Sequence, residues 1–240
     1  MTAVPEENPY LANPRWTVAE RVADEARRRY PADVLAVGAQ GALAHGDDAD
    51  TSDVELVVIT YRAGVGPRPV TRRLDGVLVD LAVVGADEYL RHARTLSTSW
   101  PLAADRYLHT KAIYDPTGWL PLLRDAHLGR LAEARPAEFT ALAREAWCRG
   151  FSAHNRAIRL AQWYETDAAL LLIGETRLAA ATVVGLLTRT YFRTSAQAVI
   201  RTGLAGADMT ELGSVLRDQA EELAARGRPV DGSLTDLFTP

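Results

Sequence analysis

The 240-residue chain has one cysteine, Cys148, and one lysine, Lys111, among its 27 basic residues. A single thiol excludes an internal disulfide framework and any multi-cysteine zinc or iron–sulfur site. With lysine almost absent, a phosphate contact has to come from arginine, histidine, backbone N–H groups or a metal ion. Charge of one sign is scarce as well. The 31 acidic and 27 basic residues leave a formal net charge of −4, which gives no general pull toward nucleic acid or an acidic membrane. Uninterrupted apolar runs stop short of the roughly 18 residues a membrane-spanning helix needs. The start, MTAVPEENPY, lacks the basic-then-apolar order of a secretory signal. These absences lead to the expectation of a cytoplasmic protein with no nucleic-acid or membrane partner. What is present is an ordinary globular mixture, 48% hydrophobic and 24% charged, in a chain long enough for one large domain or two small ones.

Val18, Val22 and Ala26 recur at helical spacing and Pro31 closes the run, so a helix is expected over 16–30. A short apolar run over 34–37, broken by Gly38 and Gly41, reads as a strand leading into a turn. An Asp-rich loop over 45–52 leads to a β-branched strand over 54–59. Residues 62–73 contain Gly64, Gly66, Pro67 and Pro69 and read as a turn or flap. A second β-branched strand over 77–84 precedes a helix over about 87–96. From Pro136 onward the β signal almost vanishes, and three helical patterns follow over about 137–162, 167–188 and 210–226. The middle one is apolar nearly all round (Leu170, Ile173, Leu178, Val183, Leu187), which suits burial in a bundle. The expected organisation is an α+β chain of two domains, divided at 1–125 and 126–240. Trp100, Trp119, Trp147 and Trp163 read as core residues, and Cys148 as a small buried hydrophobe. His92, His109 and His127 read as surface or junction residues.

The segment that carries chemistry is Gly41-Ala42 followed, past His45, by Ser52-Asp53-Val54-Glu55-Leu56. Side chains alternate along a strand, so Asp53 and Glu55 share a face. Two adjacent carboxylates on an otherwise apolar strand are costly unless a cation neutralises them. Asp80 stands between Val79 and Leu81 in the next β-branched run, and pairing of the two strands completes a three-carboxylate cluster. Oxygen-only ligands of this kind suit Mg²⁺, which keeps some waters and also takes substrate phosphates. The turn at Gly41 offers backbone N–H groups to a triphosphate.

Gly41, then an eleven-residue gap (42–52) before Asp53-Val54-Glu55, and a later acid on a neighbouring strand, resemble the nucleotidyltransferase superfamily built on the polymerase β-type palm. Trp100-Pro101-Leu102, Ile113-Tyr114-Asp115, Arg156-Ala157-Ile158-Arg159 and Thr194-Ser195-Ala196 extend the resemblance to the kanamycin nucleotidyltransferase family. The resemblance implies a palm-like mixed sheet with helices followed by a helical-bundle C-terminal domain. It also implies Mg²⁺ held by Asp53, Glu55 and Asp80, with ATP as co-substrate. The implied reaction is attack of an acceptor hydroxyl on the α-phosphorus with release of pyrophosphate, and the implied acceptor is an aminoglycoside, as in antibiotic resistance. A homodimer with sites at the interface is implied too. Nucleotide contacts fall on Gly41, Ala42, His45, Ser52 and His154. The chain departs from the family in three places. Ala42 replaces the serine of a Gly-Ser pair, and His45 replaces an arginine. The glutamate that serves as general base falls on Gly150 or Arg149, leaving Glu145, one helical turn earlier, as the nearest carboxylate. Two alternatives stay open: transfer to another small molecule, or a degenerate homologue that binds a nucleotide without turnover.

Overall fold

The computed structural model describes residues 13–238, which divide into two compact units. The first, a sheet unit, runs to Thr95 and resumes over Asp105–Ala132. The second, a helical unit, takes Leu96–Ala104 and everything from Glu133 onward. The 125/126 division expected from the sequence therefore falls inside one helix (Trp119–Glu133), and a short segment from the first half joins the helical unit.

In chain order the sheet unit contains α1 (Pro14–Arg29), β1 (Val34–Ala39), α2 (Gly41–His45), β2 (Val54–Thr60), β3 (Val70–Leu74), β4 (Val77–Gly85) and α3 (Ala86–Ala93). After α4 (Trp100–Ala103), in the helical unit, come α5 (Asp105–Leu108), β5 (Lys111–Tyr114) and α6 (Trp119–Glu133). The sheet is mixed, in the order β3-β4-β2-β1-β5; β2 and β4 are parallel and the other neighbours antiparallel. Helix α1 starts where the Asn13 side chain accepts from the Arg15 N–H and Pro14 occupies the first turn. It buries Trp16, Val18, Ala19 and Ala23 against Val37, Val54, Leu56 and Val58 on one face of the sheet. The alternate residues Val57 and Ile59 face the other way, against Tyr89, Ala93, Trp119 and Leu123. Both faces of β2 are thus covered, and each fully buried Val, Leu or Ile contributes roughly 1.5–3 kcal/mol.

Part of the expected 62–73 flap is strand β3, joined to β4 by a two-residue hairpin. Leu74 pairs with Val77, and Asp75 and Gly76 both take left-handed conformations, φ 51° and 84°. Asp-Gly between pairing residues is the sequence signature of that turn, and here it outweighs the Gly/Pro content upstream. The turn expected at Gly41 also continues into the short helix α2.

The helical unit is built from α7 (Pro136–Gln162), α8 (Thr166–Thr188), α9 (Ser195–Arg201) and α10 (Met209–Ala225). Helices α7 and α8 approach closely because Gly150 has no side chain; a Cβ there would come within 3.0 Å of the Ala179 Cβ. Among the described residues, α8 is long and apolar enough to cross a membrane by length and composition. Glu175 and Arg177 interrupt its apolar run, and one side of it forms the core of this unit, while Leu170, expected to be buried, is exposed on the other side. Leu172, Ile173, Ala180 and Ala181 pack with Ala153, Ala157 and Leu212. Trp147 donates from Nε1 to the Leu216 carbonyl at 2.7 Å, tying α7 to α10.

Three expectations about single residues are corrected. Trp163, just beyond the end of α7, is exposed, whereas Trp100, Trp119 and Trp147 are buried as expected. Cys148 is exposed, because the buried stripe of α7 runs through Ala146, Trp147 and Gly150 and leaves it outside. His127 is fully buried, with Nδ1 2.6 Å from the Ala93 carbonyl oxygen. That carbonyl can only accept, so Nδ1 carries the proton, and burial holds the histidine below its ordinary pKa.

Candidate active site

Strand pairing decides where the acids meet. In the parallel register of β2 and β4, Glu55 stands opposite Asp80. Both therefore lie on the face that α3 and α6 cover further along, at the end of the strands where that cover stops. Asp53, just before the start of β2, lies close enough to Glu55 for its charge to act on that carboxylate. Asp53 and Asp80 are exposed and Glu55 is half-buried. Asp80 accepts a hydrogen bond from the Thr71 hydroxyl at 2.8 Å, across the β3–β4 hairpin.

Glu55 feels this company. Its pKa is raised, first by burial and then by the charges of Asp53 and Asp80; Arg106 opposes the shift and Asp105 adds to it. Among the described residues no three His, Cys, Asp or Glu side chains converge into a set that could hold a metal ion as they stand. The donor chemistry nonetheless fits Mg²⁺. The oxygens are hard, Glu55 and Asp80 stand side by side, and Arg106 offsets only part of the negative charge. An Mg²⁺ ion is also held by one or two carboxylates with waters and phosphates, so it does not need a closed protein cage.

Gly41 fits the carboxylate closely. A Cβ at that position would lie 2.6 Å from Glu55 Oε2, and the residue is left-handed at φ 60°. Glycine is required there twice, for its backbone conformation and for the space it leaves to Glu55. The preceding residue, Gln40, donates its backbone N–H to the Glu55 carbonyl at 2.9 Å. Its side-chain Nε2 donates to the Tyr89 hydroxyl at 2.9 Å and to Thr110 Oγ1 at 3.0 Å. Burial pushes the Tyr89 hydroxyl up to about 12, so it stays protonated and can donate in turn.

His45 closes α2 and turns its Nε2 toward Asp105, 3.0 Å from each carboxylate oxygen. Its ring lies 4.9 Å from that of His109. Asp105 and Arg106 are the site residues that sequence reasoning missed. Asp105 is 60 residues from His45 and 50 from Glu55, and both lie on a one-turn helix that carries no periodic signal. The Ser52 hydroxyl accepts from the Ala49 N–H at 2.9 Å and so shapes the acidic loop. The nearly buried Arg15 donates from Nε to the Ser52 carbonyl at 3.0 Å, and its Nη1 lies 3.9 Å from Asp48. Asp48 is further bound by Asn13 Nδ2 at 2.9 Å. Of the loop acids, Asp50 is fully solvated.

In the helical unit, Glu145 is exposed on α7 and lies 4.0 Å from Arg149. His154 is buried, with Nε2 2.8 Å from the Met209 carbonyl oxygen, and so links α7 to the start of α10. Gly150, one of the two positions onto which the family's base falls, is packed between α7, α8 and α10 and could not present a carboxylate to solvent.

No family model and no curated protein matches the sequence. The chain is similar to the crystal structure of a nucleotidyltransferase-like protein from Exiguobacterium sibiricum. Identity is 15% and the TM-score 0.46, over 86% of this chain and 75% of that one. At that distance no residue role passes from one chain to the other, and the chemistry of the site has to be read from this chain's own side chains.

Proposed function

We propose that this protein is a nucleotidyltransferase. It would move a nucleoside monophosphate from a nucleoside triphosphate, ATP in the first instance, to a hydroxyl group of a small molecule, with release of pyrophosphate. The observation that carries the reading is the cross-strand pair Glu55–Asp80, with Asp53 beside it and the left-handed Gly41 turn against the Glu55 carboxylate. Three carboxylates whose charge is only partly offset by Arg106 suit a cationic ligand, and the adjoining turn suits the phosphates that such a cation would carry.

In this reading Asp53, Glu55 and Asp80 hold Mg²⁺, which when bound neutralises the charge of the phosphates and of the leaving pyrophosphate. The backbone N–H groups of Gly41 and Ala42 face a phosphate. Ala42 offers no hydroxyl, a loss of about 0.5–1.5 kcal/mol where a neutral hydrogen bond is missing. Asp105 fixes the orientation of the His45 ring for contact with the same group. Glu145, on the exposed face of α7, takes the proton of the acceptor hydroxyl. A homodimer and a cytoplasmic setting belong to the same proposal.

The acceptor class that the sequence resemblance implies is an aminoglycoside. A second reading, transfer to a different small molecule, is favoured by the surroundings of Glu145. Arg144, Arg149 and Arg228 line the same cavity, and a polycation there would meet like charge. The deciding experiment incubates the protein with ATP, Mg²⁺ and a panel of aminoglycosides and follows pyrophosphate release, with Asp53→Asn alongside. Release abolished in the variant is the expected result. No release with any aminoglycoside, although Mg²⁺-ATP binds, would overturn that acceptor class; failure to bind Mg²⁺-ATP would overturn the nucleotidyltransferase reading itself.

A further inference from the structure

The helical unit contains a cavity of about 410 Å³ lined by Ala141, Arg144, Glu145, Cys148, Arg149 and Arg228. The first five recur three or four residues apart along α7 and form one stripe of that helix. Arg228 is supplied by the segment after α10, which is anchored where its backbone N–H donates to the Leu223 carbonyl at 2.9 Å. Three guanidiniums and a single carboxylate thus line one small space.

The guanidiniums are unequally occupied. Arg149 donates from Nη2 to Thr98 Oγ1 at 2.7 Å and lies 4.0 Å from Glu145. Arg228 is exposed and has no ion-pair partner among the described residues. The Nε of Arg144 is buried without a hydrogen-bond partner. A buried donor left unmade is unfavourable, so an acceptor entering the cavity gains more here than at an ordinary surface arginine. The nearby carboxylate of Asp236, which feels the charge of Arg144, is already engaged by the backbone N–H and hydroxyl of Ser233.

We propose that this cavity binds a small phosphate-bearing oxyanion, with Arg228 and Arg144 as its main donors. Planar guanidiniums pair with phosphate oxygens two at a time, which a compact cavity favours over bulk water. The phosphoryl group can belong to free pyrophosphate or to a phosphorylated small molecule, and the experiment separates the two.

Cys148, the chain's single thiol, is exposed on the same stripe and serves as a reporter. The rate at which the full chain is labelled by N-ethylmaleimide is measured in EDTA at constant ionic strength. Titrants are pyrophosphate and, separately, glucose 6-phosphate. EDTA keeps the carboxylates of the sheet unit from recruiting phosphate through a divalent cation, and no nucleotide or turnover is involved. The result is therefore independent of the transfer reaction. Saturable protection is expected from at least one titrant, and which of them protects identifies the source of the phosphoryl group. Arg228→Gln and Arg144→Gln should each raise the half-protecting concentration by about tenfold. Circular dichroism checks that the variants fold, and if Arg144→Gln does not, Arg228→Gln alone decides. Labelling unaffected by either titrant, or protection that survives in Arg228→Gln, would overturn the proposal.

Discussion

On the sheet unit, three carboxylates lie close together with only part of their charge offset; on the helical unit, three guanidiniums line one cavity around a single glutamate. The two glutamates at their centres differ accordingly. Glu55 is half-buried among acids and has its pKa raised, whereas Glu145 is solvated beside Arg149. Folding alone has no use for either arrangement. A protein that needs only a stable sheet places hydrophobic residues at the positions of Glu55 and Asp80, as β2 and β4 do everywhere further along that face. One that needs only a soluble α7 spreads arginine and glutamate evenly. The opposite signs of the two clusters are what the two proposed ligands, a cation at the sheet and an oxyanion at the helices, rest on.

The sharpest way to break this contrast is Glu145→Gln. If Glu145 is the general base, kcat falls by roughly 10²–10⁴-fold. Stability, by contrast, should stay within about 0.5 kcal/mol, because an exposed pair with Arg149 contributes little. Steady-state kinetics and a denaturant titration read the two separately, and an unchanged kcat removes Glu145 from the chemistry.

Gly41→Ala tests the other side. The new Cβ adopts a left-handed backbone conformation at about 1–2 kcal/mol and displaces the Glu55 carboxylate it would touch. The variant should be measurably less stable and bind Mg²⁺-ATP more weakly. Wild-type affinity in a folded Gly41→Ala protein would show that the turn and the carboxylate are not functionally joined.

The smallest effects come from pH. Glu55 has a raised folded pKa, so the native state holds its proton more tightly than the unfolded chain. Its contribution to stability falls as pH rises from the ordinary glutamate value through the raised one. Glu55→Gln should therefore melt higher than wild type at pH 7, with the difference shrinking toward pH 4. His127 acts in the opposite direction: its folded pKa is lowered, so stability is full above about 6.5 and is lost as pH falls toward and through the lowered value. His127→Gln should flatten that acid limb in a thermal-melt series. An acid limb unchanged in the variant would assign it to other groups.

Much of this architecture was legible in the sequence. The period of α1, the β-branched runs of β2 and β4 and the long patterns of α7, α8 and α10 are local signals, because amphipathic spacing follows from which face each element buries. The nearness of Asp53 to Glu55 was local too, since the two are separated by a single residue. Asp-Gly at 75–76 was an equally local signal, but reading 62–73 as a flap left the hairpin it makes unrecognised. Tertiary structure alone decided the rest. The register of two parallel strands brings Asp80 opposite Glu55, and no local property of either strand sets that register. His45 finds Asp105 across 60 residues, and Arg106 comes within electrostatic reach of Glu55, on a one-turn helix too short to be periodic. Whether Cys148 and Trp163 are inside or outside depends on which stripe of α7 meets its neighbours and where that helix ends. Arg228 joins the α7 stripe only because the chain after α10 returns to it. Sequence fixes what each segment can bury; contacts between distant segments fix which charges meet.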